Sequence, residues 1–394
     1  MSRSKLGIGK YVCGAIGAVV FASLLLPPVG AQNSAGSSDA AVCAASVASG
    51  VSPSRLATLA RGFNLTGWVD AWPPRRPSQE ALARLYVRGF THVRLPVKAE
   101  LLIGDFNDDG ELALHVDELD RAIASLLGIG FGVSIDLHPG SRFEHLYATN
   151  PERGFALLDD LWHFLAHRYA RFTADRLFFE VLNEPTVGQS IWNLQGPRLA
   201  SAIRSEAQDH TIIYGQAGPQ RIDALGQPLA DPNVVYAVHF YDPMIFTHQG
   251  ADWSDNPSRY LQGVPFPARL SDLAVASLVD RLVEQGHREA ASSLRSQLDS
   301  PWTEDRIAQQ FIQAGRWIAR HRRPLIVNEF GVLSWKAPPA DRARWLRAVR
   351  RSAEHDCIGW THWEYAEGFG FMHRADGQEK PDETIMDALL DARD

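Results

Sequence analysis

The sequence predicts an α/β fold, a closed (β/α)8 TIM barrel with a long insertion after strand 6. Short apolar runs rich in β-branched and aromatic residues alternate with amphipathic stretches, a pattern typical of parallel strands joined by right-handed crossovers. The alternation repeats eight times from about residue 55 onward, which favours closure into a barrel. An open doubly wound sheet is the alternative, but Gly62–Gly67 lacks the glycine spacing of a phosphate-binding turn.

The predicted elements follow directly from these patterns. The strands are expected at Gly62–Leu65, His92–Leu95, Gly132–Leu137, Leu177–Leu182, Ile212–Gly215, Val234–Phe240, Leu325–Asn328 and Ile358–Trp363. The helices are expected at Ser78–Arg88, Val116–Leu127, Pro151–Arg171, Pro197–Gln208, Glu304–Arg320, Pro339–Glu354 and Glu383–Ala392.

One connection is too long for a simple crossover, since about 80 residues separate Tyr241 from Pro324. It contains helical patterns at Ser271–Gln285 and His287–Leu298. Because the connection leaves the C-terminal end of a strand, we expect residues 241–303 to form an insertion over that face of the barrel. The predicted folded domain is 55–394, with the insertion as part of it.

The N-terminus has the pattern of a targeting segment. A basic region precedes the apolar stretch Tyr11–Leu26, and Val29-Gly30-Ala31 resembles a signal-cleavage site, so 1–31 is predicted to be a signal peptide. An uncleaved anchor is the alternative reading. Residues 32–54 are rich in Ala, Ser and Gly and are expected to be a flexible extension. The predicted mature protein is exported, periplasmic or extracellular, with no stable membrane insertion.

Removal of the predicted signal peptide leaves two cysteines, Cys43 and Cys357. Export allows but does not require a disulfide between them.

Composition is that of a globular protein, with 45% apolar and 22% charged residues. A net charge of -7 gives no basic surface for nucleic acid, so a neutral ligand fits better. Eleven tryptophans offer stacking surfaces suited to sugar rings, although core packing is the commoner role of each.

Two glutamates at strand ends carry the chemical hypothesis. Glu184 follows the run Leu177–Leu182, and Glu329 follows Leu325–Asn328. In a parallel barrel all C-terminal strand ends open onto one face, so these carboxylates are expected to converge. Two converging carboxylates suffice to cleave a glycosidic bond, one as proton donor and the other as nucleophile or base. Glu180 lies within its strand and is expected to pair inside the barrel.

The strand ends carry an ordered set of polar and aromatic residues, namely Arg94, His138, Asn183, Glu184, His239, Tyr241, Glu329 and Trp363. This set resembles that of glycoside hydrolase family 5, a group of cellulase-like retaining glycosidases, and the resemblance covers residues 61 to about 370. The resemblance implies that Glu184 is the acid/base, which requires a raised pKa, and that Glu329 is the nucleophile. It also implies that Arg94 and Tyr241 donate to Glu329 and that Asn183, His138 and Trp363 bind the sugar.

Loops after the strands are expected to set the specificity. Candidate cleft residues there are Trp68, Trp72, Phe246, His248, Gln249, Trp253 and Trp335. The predicted activity is endo-hydrolysis of a β-linked glucan such as cellulose by a monomer that needs no cofactor or metal. Exo action, mannan or β-1,3-glucan as substrate, and a non-catalytic carbohydrate-binding barrel remain open.

Two other patterns resemble functional motifs but are incomplete. Asp105–Gly110 matches the first half of a calcium loop, but Val116 stands where a bidentate glutamate is needed, so we expect a polar turn. His163 and His167 share a helical face without the glutamate of a zinc protease, and are expected to be surface or packing residues. No Gly-x-Ser-x-Gly motif is present, which excludes the commonest serine-hydrolase pattern.

Overall fold

The computed structural model of the chain describes residues 43–44, 46, 49–253, 257–375 and 378–391. The predicted signal peptide and most of the predicted extension lie outside these residues. Within them, no helix is both long enough and apolar enough to cross a membrane.

Eight parallel strands close into a barrel in sequence order, and β1 pairs with β8 through Gly62 and Thr361. The strands are β1 (Arg61–Asn64), β2 (His92–Lys98), β3 (Gly132–His138), β4 (Leu177–Glu180), β5 (Ile212–Gly215), β6 (Val234–Phe240), β7 (Leu325–Phe330) and β8 (Gly359–His362). The predicted (β/α)8 fold is therefore confirmed. A two-stranded antiparallel hairpin, β9 (Met372–Ala375) and β10 (Gln378–Pro381), follows the barrel and was not predicted.

Helices cover the outside and the base of the barrel and form part of the insertion. They span Pro53–Thr58, Gln79–Arg88, Asp109–Ile129, Ser141–Thr149, Pro151–Tyr169, Gln189–Glu206, Met244–Thr247, Leu273–Glu284, Arg288–Gln297, Glu304–His321, Pro339–His355 and Glu383–Leu390, with 3-10 turns at Ala99–Leu101, Ile222–Ala224 and Pro257–Tyr260. The helix Asp109–Ile129 begins earlier than predicted because Asp108 and Glu111 form a capping box, each side chain accepting from the other's backbone N–H. The calcium-like segment is thus a capped turn, as expected.

The inside of the barrel changes character along its axis. At the N-terminal end of the strands, apolar side chains such as Phe178, Ile213 and Ile326 form a closed layer with Val51 and Leu59. The helix Pro53–Thr58, which lies between these last two residues, therefore closes the barrel base. Towards the C-terminal ends the interior becomes polar, so the apolar base supports a charged upper layer.

The insertion 241–303 packs beside the seventh strand's loop and helix. Gln249 holds its first turns together, accepting from the N–H of Val264 and donating to the carbonyl of Phe246. Arg344 of the following helix donates to the carbonyl of Phe266 at 2.7 Å. The insertion is therefore held together by buried hydrogen bonds of its own and is tied to the barrel's outer layer by a part-buried one.

Cys43 and Cys357 form a disulfide with their Cα atoms 5.3 Å apart, within the usual range. The sequence left this pairing open. His163 and His167 lie on the surface, where both contact Glu206, at 3.0 and 3.1 Å. They are surface histidines, as expected.

Candidate active site

The C-terminal ends of the strands open onto a cleft of about 440 Å³. Seven of the eight predicted strand-end residues line it, namely His138, Asn183, Glu184, His239, Tyr241, Glu329 and Trp363. Arg94 is fully buried and contacts two of them from below. Residues from six different strands are thus brought together, as parallel closure requires.

Arg94 is the centre of the polar layer beneath the cleft. Its guanidinium donates to both oxygens of Glu180 at 2.7 and 2.9 Å, and lies 3.0 Å from Asp136. It also donates to Glu329 at 2.7 Å and to the side-chain oxygen of Asn183 at 2.9 Å. Burial opposes its charge, but the surrounding carboxylates hold the pKa of Arg94 well above its usual value.

Glu180 pairs inside the barrel, as expected from its mid-strand position. Besides Arg94 it accepts a hydrogen bond from the side-chain amide of Asn328 at 2.6 Å. Burial raises the pKa of Glu180 to about 7, against the opposing effect of Arg94. This carboxyl supports the cleft from beneath and does not line it.

Glu329 is held at both oxygens. Arg94 donates to one, and the phenolic hydroxyl of Tyr241 donates to the other at 3.0 Å. Burial and then the charge of Glu329 raise the pKa of Tyr241 well above its usual value, so the hydroxyl keeps its proton and remains a donor. Glu329 is 6% exposed, and its carboxylate is fixed in position at the cleft floor.

Glu184 is more open, with 41% of its side chain exposed, and contacts Nδ1 of His239 at 2.9 Å. Burial raises the pKa of Glu184, but the hydrogen bond and charge of His239 outweigh it, and the pKa is lowered. The pKa of His239 is raised, because Glu329 and Glu184 overcome the effect of its burial. The expected raised pKa of Glu184 is therefore wrong, because the neighbouring imidazole of His239 lowers it.

The two carboxylates are close. An oxygen of Glu184, an oxygen of Glu329 and a ring nitrogen of His239 all lie within 4.8 Å of one another. Among the described residues, this is the one trio of His, Cys, Asp or Glu spaced for a cation. Both oxygens of Glu329 already accept hydrogen bonds, one from Arg94 and the other from Tyr241, so the trio does not offer three open ligands.

His138 and Trp363 form an aromatic surface beside Glu329. Their rings stack at 5.7 Å with an interplanar angle of 23°. Nδ1 of His138 donates to Asp136, and Nε2 lies 3.9 Å from Glu329. Burial lowers the pKa of His138, but the charge of Asp136 and this hydrogen bond outweigh the burial, so the pKa is raised. Asp136, two residues before His138 on the same strand face, thus orients the imidazole. A flat, partly charged surface of this kind suits a sugar ring.

Comparison with known proteins identifies the family. The model of the cellulase family, glycosyl hydrolase family 5, matches residues 56–366, most of the chain. The chain belongs to glycosyl hydrolase family 5. The predicted family is confirmed, and membership places the chain among the glycoside hydrolases.

Individual relatives resemble the chain over most of its length. Endoglucanase 3 of Fibrobacter succinogenes is 27% identical over 80% of this chain, which spans only 50% of that relative's length. Endoglucanase C of Acetivibrio thermocellus is 24% identical over 77% of this chain and 90% of the relative. The crystal structure of Thermotoga maritima Cel5A with cellobiose is 26% identical, with a TM-score of 0.70, covering 86% of this chain and all of that one.

Two of the loop tryptophans predicted to line the cleft do not line it. Trp68 is buried, and its indole N–H donates to Glu118 at 2.6 Å on the outer helix Asp109–Ile129. Trp72 is half exposed but packs edge-on against His115, outside the cleft. These two assignments are wrong because the loop after β1 folds outward over that helix.

The other loop predictions divide between lining and support. His248 and Trp253 line the cleft, while the half-exposed Trp335 abuts Trp253 with ring centroids 5.7 Å apart. Phe246 and Gln249 are fully buried within the insertion, where they contribute packing and backbone hydrogen bonds, and their prediction as cleft residues is wrong.

Several lining residues had no sequence signal of their own. They are Pro219, Arg221, Ile222, Asp223, Asp242, Met244, Gln310 and Phe369. Most lie on the loop after β5 or just after β6, strand ends that the barrel places at the same face. Gln310 lies within the helix Glu304–His321, and nothing in helical periodicity distinguishes it from a solvent-facing glutamine.

Proposed function

We propose that this protein is a secreted, retaining endo-β-1,4-glucanase. The observation that carries the proposal is the separation of the two carboxylates, whose nearest oxygens lie within 4.8 Å. Retaining glycosidases place their carboxyl groups about 5–5.5 Å apart, whereas inverting ones need about 6.5–9.5 Å to admit a water between them. The spacing here leaves room for a sugar carbon and none for an additional water.

In the first step Glu329 acts as the nucleophile. Its carboxylate attacks the anomeric carbon while the bond to the leaving oxygen breaks. Arg94 and Tyr241, which donate to its two oxygens, fix the direction of attack. The ring that is attacked lies on the surface of His138 and Trp363, which excludes water from one side of the developing oxocarbenium ion.

Glu184 transfers the proton in both steps. In the first step the leaving oxygen takes a proton from the Glu184–His239 pair, through the carboxyl that faces the cleft. In the second step the Glu184 carboxylate takes a proton from water, which attacks the glycosyl–Glu329 ester and releases the sugar with retained configuration. Proton transfer along the hydrogen bond between His239 and Glu184 lets Glu184 act as an acid although His239 lowers its pKa.

The substrate proposal rests on the relatives, which are named endoglucanases, and on the aromatic surface that His138 and Trp363 form in the cleft. Exo action and a mannan or β-1,3-glucan substrate are the alternatives within the same chemistry. A non-catalytic sugar-binding barrel is disfavoured, because both carboxylates and their donors are intact. Secretion is supported by the Cys43–Cys357 disulfide, which persists in oxidising compartments.

Two glutamate variants test the mechanism. With an aryl β-cellobioside, Glu184→Ala should form the glycosyl–enzyme but hydrolyse it slowly, because water then lacks a base. Azide needs no base, so it should restore turnover and give a β-glycosyl azide. Glu329→Ala should not give that product. Azide that rescues neither variant, or a first product of inverted configuration by NMR, would contradict the assignment.

Specificity is tested separately, on β-1,4-glucan, mannan, β-1,3-glucan and defined oligosaccharides. Rapid loss of viscosity with few reducing ends supports endo action, whereas steady release of one short product indicates exo action. Turnover of none of these glycans would remove the proposed function.

A further inference from the structure

One wall of the cleft has no role in the mechanism above. It consists of the loop after β5, Asp242 near the start of the insertion, and the side chain of Gln310. Arg221 and Asp223 of the loop also line it. This wall adjoins Glu184 and is rich in charge, unlike the aromatic surface beside Glu329.

Arg221 is braced by two carboxylates. One guanidinium nitrogen lies 2.9 Å from Asp242 and a second lies 3.3 Å from its other oxygen, a two-point contact. Nε donates to Asp223 at 3.2 Å. The side chain is half exposed, so donor N–H groups remain accessible from the cleft. Arg221 is therefore oriented without being enclosed.

The loop that carries Arg221 is itself fixed to the catalytic strands. The side chain of Gln220 donates to the carbonyl of Leu182, and its backbone carbonyl accepts from the N–H of His239 at 2.9 Å. Leu182 immediately precedes Asn183 and Glu184, and His239 contacts Glu184. The position of Arg221 is thus set relative to the acid/base residue by two short connections.

The direction of the reaction identifies which part of a substrate meets this wall. The attacked ring lies on the His138–Trp363 surface, between β3 and β8. The leaving oxygen must face Glu184, so the sugar that departs extends away from that surface, over the ends of β5 and β6. The Arg221 wall is where the leaving group lies.

From this geometry we infer that Arg221, braced by Asp242 and Asp223, forms the leaving-group subsite and selects a neutral sugar there. The inference rests on the proposed function and specifies one part of its site. Arg221 N–H groups and the two carboxylates present donors and acceptors to sugar hydroxyls. The three groups together carry one net negative charge, which disfavours an anionic sugar such as a uronate.

Acceptor transfer measures this subsite directly. After the first step, an added sugar can occupy it and attack the glycosyl–Glu329 ester. The acceptor hydroxyl forms the new bond to the anomeric carbon, the bond to Glu329 breaks, and the hydroxyl proton passes to Glu184. The ratio of transfer to hydrolysis therefore reports binding of the acceptor and is independent of how the ester formed.

The experiment supplies an aryl β-cellobioside, or the corresponding glycoside of whichever linkage the wild type cleaves. The acceptors are methyl β-glucoside and methyl β-glucuronoside, which differ only at C6. Arg221→Met is compared with Arg221→Lys and with Arg84→Met, an exposed arginine that pairs with Glu80 on an outer helix. A cooperative thermal unfolding transition establishes that each variant is folded. If Arg221→Met does not fold, Arg221→Lys replaces it in the comparison.

The wild type should transfer to the glucoside and at least tenfold less to the glucuronoside. Loss of one charged hydrogen bond in Arg221→Met should lower transfer to the glucoside about tenfold relative to hydrolysis. Arg84→Met should leave that ratio unchanged. A ratio unchanged in Arg221→Met, equal use of both acceptors, or no transfer by an active wild type would overturn the inference. A wild type that cleaves no glycoside would overturn the proposed function and, with it, the inference.

Discussion

Replacing Arg94 with methionine should destabilise the protein strongly, because three buried carboxylates depend on one guanidinium. Arg94 lies within 3.0 Å of Asp136, Glu180 and Glu329, and all four side chains are almost completely buried. Removing one partner of a buried ion pair costs about 3–5 kcal/mol, since the remaining charge is left without compensation. That is a large part of the 5–15 kcal/mol that typically separates folded from unfolded protein. Unfolding in guanidinium chloride, followed by tryptophan fluorescence, measures the decrease in the free energy of unfolding.

The sign of the pH dependence follows from Glu180. Burial raises the pKa of Glu180 to about 7 in the folded protein. A raised folded-state pKa gives stability that is complete below the unfolded-state pKa and is lost as the pH rises through the folded value. Without Arg94 this pKa rises further, so Arg94→Met should be more damaging at pH 8 than at pH 5.

A second substitution separates charge from packing. Glu180→Gln in the Arg94→Met background removes one uncompensated carboxylate and should recover about 1–2 kcal/mol at pH 8. Arg84→Met, which breaks an exposed i,i+4 pair, should cost no more than about 0.5 kcal/mol. A loss below about 1 kcal/mol in Arg94→Met, or no recovery in the double variant, would refute the buried-charge reasoning.

Three further outcomes are expected. Tyr241→Phe removes a donor to Glu329 and should lower kcat/KM about 10- to 100-fold, from a charged hydrogen bond of about 1.5–3 kcal/mol; a change under twofold in steady-state kinetics would count against that contact. Burial raises the pKa of Glu364 from 4.5 to about 7, so ionisation of this carboxyl lowers the free energy of unfolding as the pH rises. In urea unfolding, Glu364→Gln should therefore gain about 2–3 kcal/mol of stability relative to wild type between pH 5 and pH 8. A stability difference that does not change with pH would contradict the raised pKa of Glu364. Replacing Cys43 and Cys357 with serine should cost about 2–4 kcal/mol, seen as a lower Tm that matches the reduced wild type.

The barrel could be predicted from the sequence because its strands are buried on both faces. Such strands appear as continuous apolar runs, and all eight were found within a few residues of their observed positions. Their polar ends mark the active face, so the convergence of Glu184 with Glu329 followed from topology alone. Glu180 was separated from them by its position within the strand.

What the sequence did not reveal depends on contacts between distant segments. The sequence places Trp68 on a loop after a strand, but its indole N–H donates to Glu118 on an outer helix, a contact that only the folded structure reveals. Arg221 carries no local pattern, and its importance comes from Asp242, which lies on the next strand's loop. The low pKa of Glu184 likewise depends on His239, a neighbour in space whose protonation no residue spacing specifies.

The pairing of β1 with β8 determines when this protein can finish folding. One edge of β1 can form its backbone hydrogen bonds only with β8, whose residues Trp360 and Thr361 lie roughly 300 residues later in the chain. Until then the growing sheet has two open edges, which are sites where unfolded chains pair wrongly. All eight strands must be present before the seam closes. Closure of the barrel also positions Trp363 of the cleft, because this residue follows directly on the strand that makes the seam.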